Sequence, residues 1–125
     1  MTAIDGSTGD IVWERAVGIT EGLPADRQNT GRPGRAAAIV TASGLLFIAA
    51  TDDSRFRALD ATTGRELWVT TLDRRGNANP MTYQGSGGNR YVAIAATVTR
   101  LVPALRVLGT VLTDPPGASA TPAAA

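Results

Sequence analysis

Ala58 Leu59 Asp60 Ala61 Thr62 Thr63 Gly64 Arg65 Glu66 Leu67 Trp68 reads as a strand, a tight turn and a second strand written in eleven residues. The Asp60 carboxylate can accept hydrogen bonds from backbone N–H groups just ahead of it, and the Thr63 hydroxyl can do so more weakly. Gly64 supplies the positive φ that side chains resist. After the turn the run around Trp68 and Val69 is β-prone, and a large indole there can fill space between stacked sheets. A helix is a poor alternative, because Gly64 and the threonine pair interrupt its period.

The stretch recurs. Ala3 Ile4 Asp5 Gly6 Ser7 Thr8 Gly9 Asp10 Ile11 Val12 Trp13 repeats Ala-x-Asp-x-x-Thr-Gly-x-x-x-Trp at an offset of 55 residues. Two such hairpins at a period near fifty are the signature of a β-propeller or a related β-array.

The frame resembles the tryptophan-docking motif of the quinoprotein dehydrogenases, the pyrroloquinoline quinone (PQQ)-dependent alcohol and glucose dehydrogenases, whose propellers repeat it blade after blade. The runs Thr30 to Arg35, Ile39 to Ile48, Asn77 to Tyr83 and Arg90 to Ala96 also resemble the C-terminal end of that family in order and spacing. The resemblance covers roughly residues 2 to 97. It implies an all-β partial propeller over residues 1–97, with one complete four-stranded antiparallel blade between two incomplete ones. Residues 98–125 form a divergent segment.

A chain of 125 residues, 43% hydrophobic and 18% charged, is long enough for one ordinary domain but not for a closed eight-bladed ring. At about 50 residues per blade it supplies two to three, whereas propellers close with roughly 4 to 8. The net charge of +1 is spread over 12 basic and 11 acidic residues, which gives no electrostatic footprint for nucleic acid or an anionic membrane. Without cysteine there is no disulfide framework or thiolate metal site, and without histidine the usual proton shuttle is missing. No apolar run is long enough to span a bilayer. The motif begins directly after Met1, so no secretory signal is expected here, while the resemblance implies a periplasmic or periplasm-facing parent enzyme.

Taken in order, residues 2 to 5 end one strand, Asp5 to Gly9 turn, and Ile11 to Val17 form the next strand. Gly18 to Arg35 is a loop. The complete blade comprises Ala36 to Thr41, Leu45 to Thr51, Arg55 to Leu59 and Glu66 to Leu72. Its second strand is apolar on both parities, which suits an inner strand covered on both faces. Asn79 to Tyr83 and Arg90 to Thr97 open the following blade. Beyond Thr97 the resemblance fails. Val98 to Val111 reads either as a helix over 102–108 or as a poor strand, and the Pro/Ala-rich residues 114–125 as a disordered tail. The change is compatible with a shifted reading frame or a spurious gene end.

The activity implied by the resemblance is oxidation of an alcohol or sugar hydroxyl, with PQQ as hydride acceptor, calcium polarising the quinone and a carboxylate taking the proton. The family's catalytic aspartate, calcium ligands and ring-stacking tryptophan lie upstream of the matched part, so no catalytic or metal-binding residue carries over. Arg32, with Arg35, lies in the glycine-rich loop. It reads either as a contact to a cofactor carboxylate or as a solvated charge. Asn77 and Asn79, in or beside the Asp73 to Ala78 loop, are the other positions assigned near PQQ. Asp52 and Asp53 read as a turn, because a calcium site wants six or more oxygens. Trp13 and Trp68 read as packing between blades rather than stacking on a cofactor. The leading expectation is an enzyme fragment inactive alone, partnered by further blades of a parent protein or by itself through open sheet edges. The alternative is a non-enzymatic propeller-repeat binding or scaffold module.

Overall fold

The structure, a computed structural model, describes residues 1–96 and 107–111. Its strands are β1 (Thr2–Ile4), β2 (Ile11–Glu14), β3 (Ile39–Val40), β4 (Leu45–Ile48), β5 (Arg55–Asp60), β6 (Glu66–Thr71), β7 (Met81–Gln84), β8 (Arg90–Ala95) and β9 (Val107–Val111). Among the described residues they form three antiparallel sheets, β1-β2, β3-β4-β5-β6 and β7-β8-β9. The expected architecture is present: a four-stranded blade between two partial ones.

The two copies of the motif fold alike. Asp60 Oδ1 accepts the N–H groups of Thr62 and Thr63, each at 2.9 Å, and Thr63 Oγ1 accepts that of Arg65 at 3.3 Å. Asp5 and Thr8 make the corresponding bonds to Ser7, Thr8 and Asp10. Gly64 and Gly9 stand at φ 68° and 81°, in the left-handed region where a Cβ is strained. Each hairpin also carries a register irregularity at the same place, between Ala58 and Leu59 and between Ala3 and Ile4. An Asx turn closed by a left-handed glycine therefore builds each strand exchange locally, before any tertiary contact.

Alternating side chains of the central blade serve two cores. Leu46, Ile48, Ala50 and Leu59 pack with Trp13, on the side of β1-β2. Phe47, Ala49, Phe56 and Ala58 pack with Val92, Ile94 and Ala96, on the side of β7-β8. Phe47 and Phe56 are each 1% exposed with ring centroids 6.0 Å apart, and burying each ring contributes about 1.5–3 kcal/mol. This two-sided burial is why β4 shows no polar parity.

Several boundaries differ from the sequence reading. β2 stops at Glu14, and Val17 turns away so that its carbonyl accepts the Arg32 N–H. The first strand of the blade shortens from Ala36–Thr41 to Ile39–Val40, because Ala37 gives its N–H to the Asn79 side chain and Arg35 gives its own to Ala50 O. Thr51 leaves β4 and bridges Gly34 alone. The helical reading over 102–108 is overturned at Val107 and Leu108, which sit in β9 opposite Ala95 and Ile94. Pairing with β8 satisfies backbone groups that would otherwise form an open edge. The proposed tail over 114–125 lies outside the described residues.

Candidate functional site

Two kinds of site follow from this arrangement, the junctions between blades and the loops gathered at one end of the central blade. At the first junction the β2 indole of Trp13, 9% exposed, crosses to the next blade and its Nε1 donates to Ala61 O at 2.9 Å. The ring lies over Gly64, where a Cβ would come within 2.6 Å of Trp13 Cε3. Gly64 thus meets two demands, a left-handed backbone and room for an indole. At the second junction Trp68 stands edge-on to Phe56, centroids 5.9 Å apart, and is only half-buried. Among the described residues its Nε1 meets no acceptor. Beside it opens a largely apolar cavity of about 640 Å³, walled by Val40, Leu67, Trp68, Tyr83, Arg90 and Tyr91. Tyr83 and Tyr91 stack with centroids 5.2 Å apart.

The β4–β5 and β6–β7 links meet at one end of the blade, as alternating strand direction requires. Arg32 forks onto Asp52 through Nε at 2.6 Å and Nη2 at 2.9 Å, and Arg75 Nη2 lies 4.0 Å from the same carboxylate. The hydrogen bond from Arg32 holds the Asp52 carboxyl below its usual range. Asp52 N–H in turn donates to Pro33 O, tying the glycine-rich loop to the link. Asn79 Oδ1 accepts the Ala37 N–H at 2.9 Å, and Asn77 donates its own N–H to Arg75 O at 3.2 Å. The structure therefore brings Arg32 and Asp52 into direct contact and places Asn77 and Asn79 on the neighbouring link. It gives Arg32 an ion-pair partner, where the sequence offered a ligand contact or a solvated charge.

Beside this lies a buried cluster that sequence reasoning missed. Arg57 and Asp53, side chains each 3% exposed, form an ion pair through Arg57 Nη2 and Asp53 Oδ2. Arg57 also donates to Thr51 Oγ1 at 3.0 Å and to Glu66 Oε2 at 3.1 Å, while Asp53 accepts the Ile19 N–H at 3.0 Å. Burial pushes the Asp53 carboxyl up, but the hydrogen bonds from Arg57, Thr51 and Ile19 prevail and hold it at about 2. The signal in the sequence was an arginine set between the apolar Phe56 and Ala58, four residues after an aspartate. With Asp52 held by Arg32 and Asp53 by Arg57, both carboxylates of the link are committed. Among the described residues no three histidine, cysteine, aspartate or glutamate side chains are grouped as metal ligands.

The model of the family "PQQ: Glucose/ethanol/alcohol dehydrogenase, beta-propeller domain" matches residues 1–92. The chain belongs to this family. Among curated relatives, the glycerol dehydrogenase large subunit of Gluconobacter oxydans (strain 621H) is 40% identical over 103 residues, 77% of this chain and 14% of the relative. Quinoprotein glucose dehydrogenase A of Acinetobacter calcoaceticus is 37% identical over 101 residues, covering 77% and 12%. A solved europium-containing methanol dehydrogenase superposes with a TM-score of 0.58 at 32% identity, over 76% of this chain and 14% of that one. The chain thus spans about one seventh of the length of these relatives.

Proposed function

We propose that the chain is a blade-and-junction portion of a PQQ-dependent dehydrogenase that oxidises alcohol or sugar hydroxyls on the periplasmic side of a membrane, and that it is inactive alone. Residues 1–97 carry the propeller motifs and 98–125 the divergent segment. The observation that carries the reading is the Trp13 indole seated on Ala61 and Gly64, a contact that only an adjoining blade can provide, in a chain matched over residues 1–92 to the PQQ domain.

In this reading PQQ, when bound, supplies the hydride acceptor, and these residues supply wall and charge. Among the described residues, Arg32 keeps N–H donors beyond the two spent on Asp52, and Asn79 is engaged through its oxygen and keeps its NH₂. These donors suit an anionic, carboxylated cofactor. Arg32, Asn77 and Asn79 therefore line the cofactor side of the blade, with Asp52 orienting the Arg32 guanidinium. Calcium is held elsewhere in the parent enzyme.

The test is cofactor-dependent dye reduction by the purified chain, given PQQ, Ca²⁺ and an artificial electron acceptor. No rate above the protein-free control is expected, and a clear rate would overturn the claim of inactivity. In a full-length relative, replacing the residue aligned with Arg32 by alanine should weaken PQQ binding measured by titration. Unchanged affinity would remove Arg32 from the cofactor wall.

A further inference from the structure

We propose that one copy of this chain docks on another head to tail, the Trp68 indole of the first seating on the turn over residues 5–9 of the second. The first junction shows what a tryptophan of this frame requires. Trp13 packs in one cluster with Leu59, gives its Nε1–H to Ala61 O and lies over Gly64. At the repeat offset of 55 residues the same three places are held by Ile4, Gly6 and Gly9. The turn that carries them has the same form, with Asp5 accepting the Ser7 and Thr8 N–H groups and Gly9 at φ 81°. Nothing among the described residues covers it. Leu59 is 2% exposed where Ile4 is 62% exposed, no atom lies within 4 Å of a Cβ built on Gly6 or Gly9, and Gly6 O accepts no hydrogen bond.

Trp68 supplies the complementary half. Among the described residues its Nε1 has no acceptor, and the exposed Leu67 and Tyr83 continue the apolar wall of the cavity beside it. The two halves cannot meet within one chain. Trp13 and Leu59 pack on the side of the central blade that faces β1-β2, whereas Phe56, Ala58 and Trp68 pack on the side that faces β7-β8. The free turn and the open indole therefore lie on opposite sides of the blade. A second copy brings them together, Ile4 adding apolar surface and Gly6 O the acceptor that Trp68 Nε1 lacks. Each docking leaves a turn at one end and an indole at the other, so the contact is heterologous and adds copy after copy.

Sedimentation velocity of the full chain over a concentration series reads the contact, and the native chain should gain mass as concentration rises. Gly6→Glu puts a side chain into space that is open in the single chain, and Trp68→Ala removes the indole. Each variant should remain monomeric. An equimolar mixture of the two should form a two-chain complex and nothing larger, because one variant keeps the indole and the other keeps the turn. Should Trp68→Ala fail to fold, Tyr83→Glu, at an exposed position on the β7 wall of the cavity, takes its place in the mixture. A native chain that is monomeric at every concentration overturns the proposal. So does an assembly that survives either variant, which would move the contact to the open strand edges, and so does a mixture that stays monomeric while both variants are folded by circular dichroism.

Discussion

Trp13 and Trp68 hold the same place in the same eleven-residue frame, yet one is a completed joint and the other an open one. Trp13 is 9% exposed and hydrogen-bonded to Ala61 O, with its ring against Gly64. Trp68 rests on Phe56 from one side and faces a cavity of about 640 Å³ on the other. The motif specifies its own hairpin in both cases. Whether the indole is buried depends on a second motif 55 residues further on. Local sequence writes the turn, and the neighbour writes the burial.

The difference can be broken most severely at the indoles. Trp13→Ala should cost about 3–5 kcal/mol, the usual loss for a buried aromatic, whereas Trp68→Ala should cost about 1–2 kcal/mol because less apolar area is regained by water. Equal losses in urea denaturation would show that the second indole is covered as fully as the first. The glycines sharpen the same contrast. Gly64→Ala meets both the left-handed backbone and the Trp13 ring and should lose about 2–4 kcal/mol. Gly9→Ala meets only the backbone, with nothing within 4 Å of its Cβ, and should lose about 1 kcal/mol. The denaturation midpoints of the two variants should differ accordingly.

Acid tests what holds the first joint from behind. The Asp53 carboxyl is held at about 2 in the folded chain, below its unfolded value near 3.9. Its stabilisation is therefore fully present above pH 4 and is lost as pH falls towards 2, on the order of 2 kcal/mol in all. Asp53→Asn should flatten that acid limb in a pH series of unfolding midpoints, and an unaltered limb would assign it to other carboxylates. The smallest effect belongs to Glu21, whose side chain is 73% exposed where it meets Arg55. Glu21→Ala should cost less than about 1 kcal/mol, and that loss should fade in high salt.

Much of the fold was legible because the turn chemistry is local. Asp60, Thr63 and Gly64 announce the hairpin, and the double parity of Leu45 to Ile48 announces a strand covered on both faces. The strand ends were less legible. Thr51 and the apolar Ala36 to Ala38 adjoin strands, but their backbone groups go to the loops and to Asn79, a choice made by tertiary partners. β9 was obscured for a related reason: no turn frame precedes it, and only the waiting edge of β8 selects an extended conformation there. At the candidate site, sequence located Arg32 in the correct loop but not its carboxylate partner, since Asp52 lies 20 residues away. The Arg57–Asp53 pair was hidden because a charge on the buried stretch of a strand becomes tolerable only through partners contributed by a link, a loop and a neighbouring strand.

The Trp13 to Ala61 hydrogen bond joins residues 48 apart in the chain, and that separation has a kinetic consequence. Each Asx-turn hairpin closes only a few residues and can form in roughly 1–10 µs. The indole must wait until the intervening chain, with its glycine-rich loop, has been brought round, which adds loop-closure entropy to the docking step. Assembly should therefore run from independent hairpins to a late stacking event, and loosening the joint should quicken unfolding more than it slows folding.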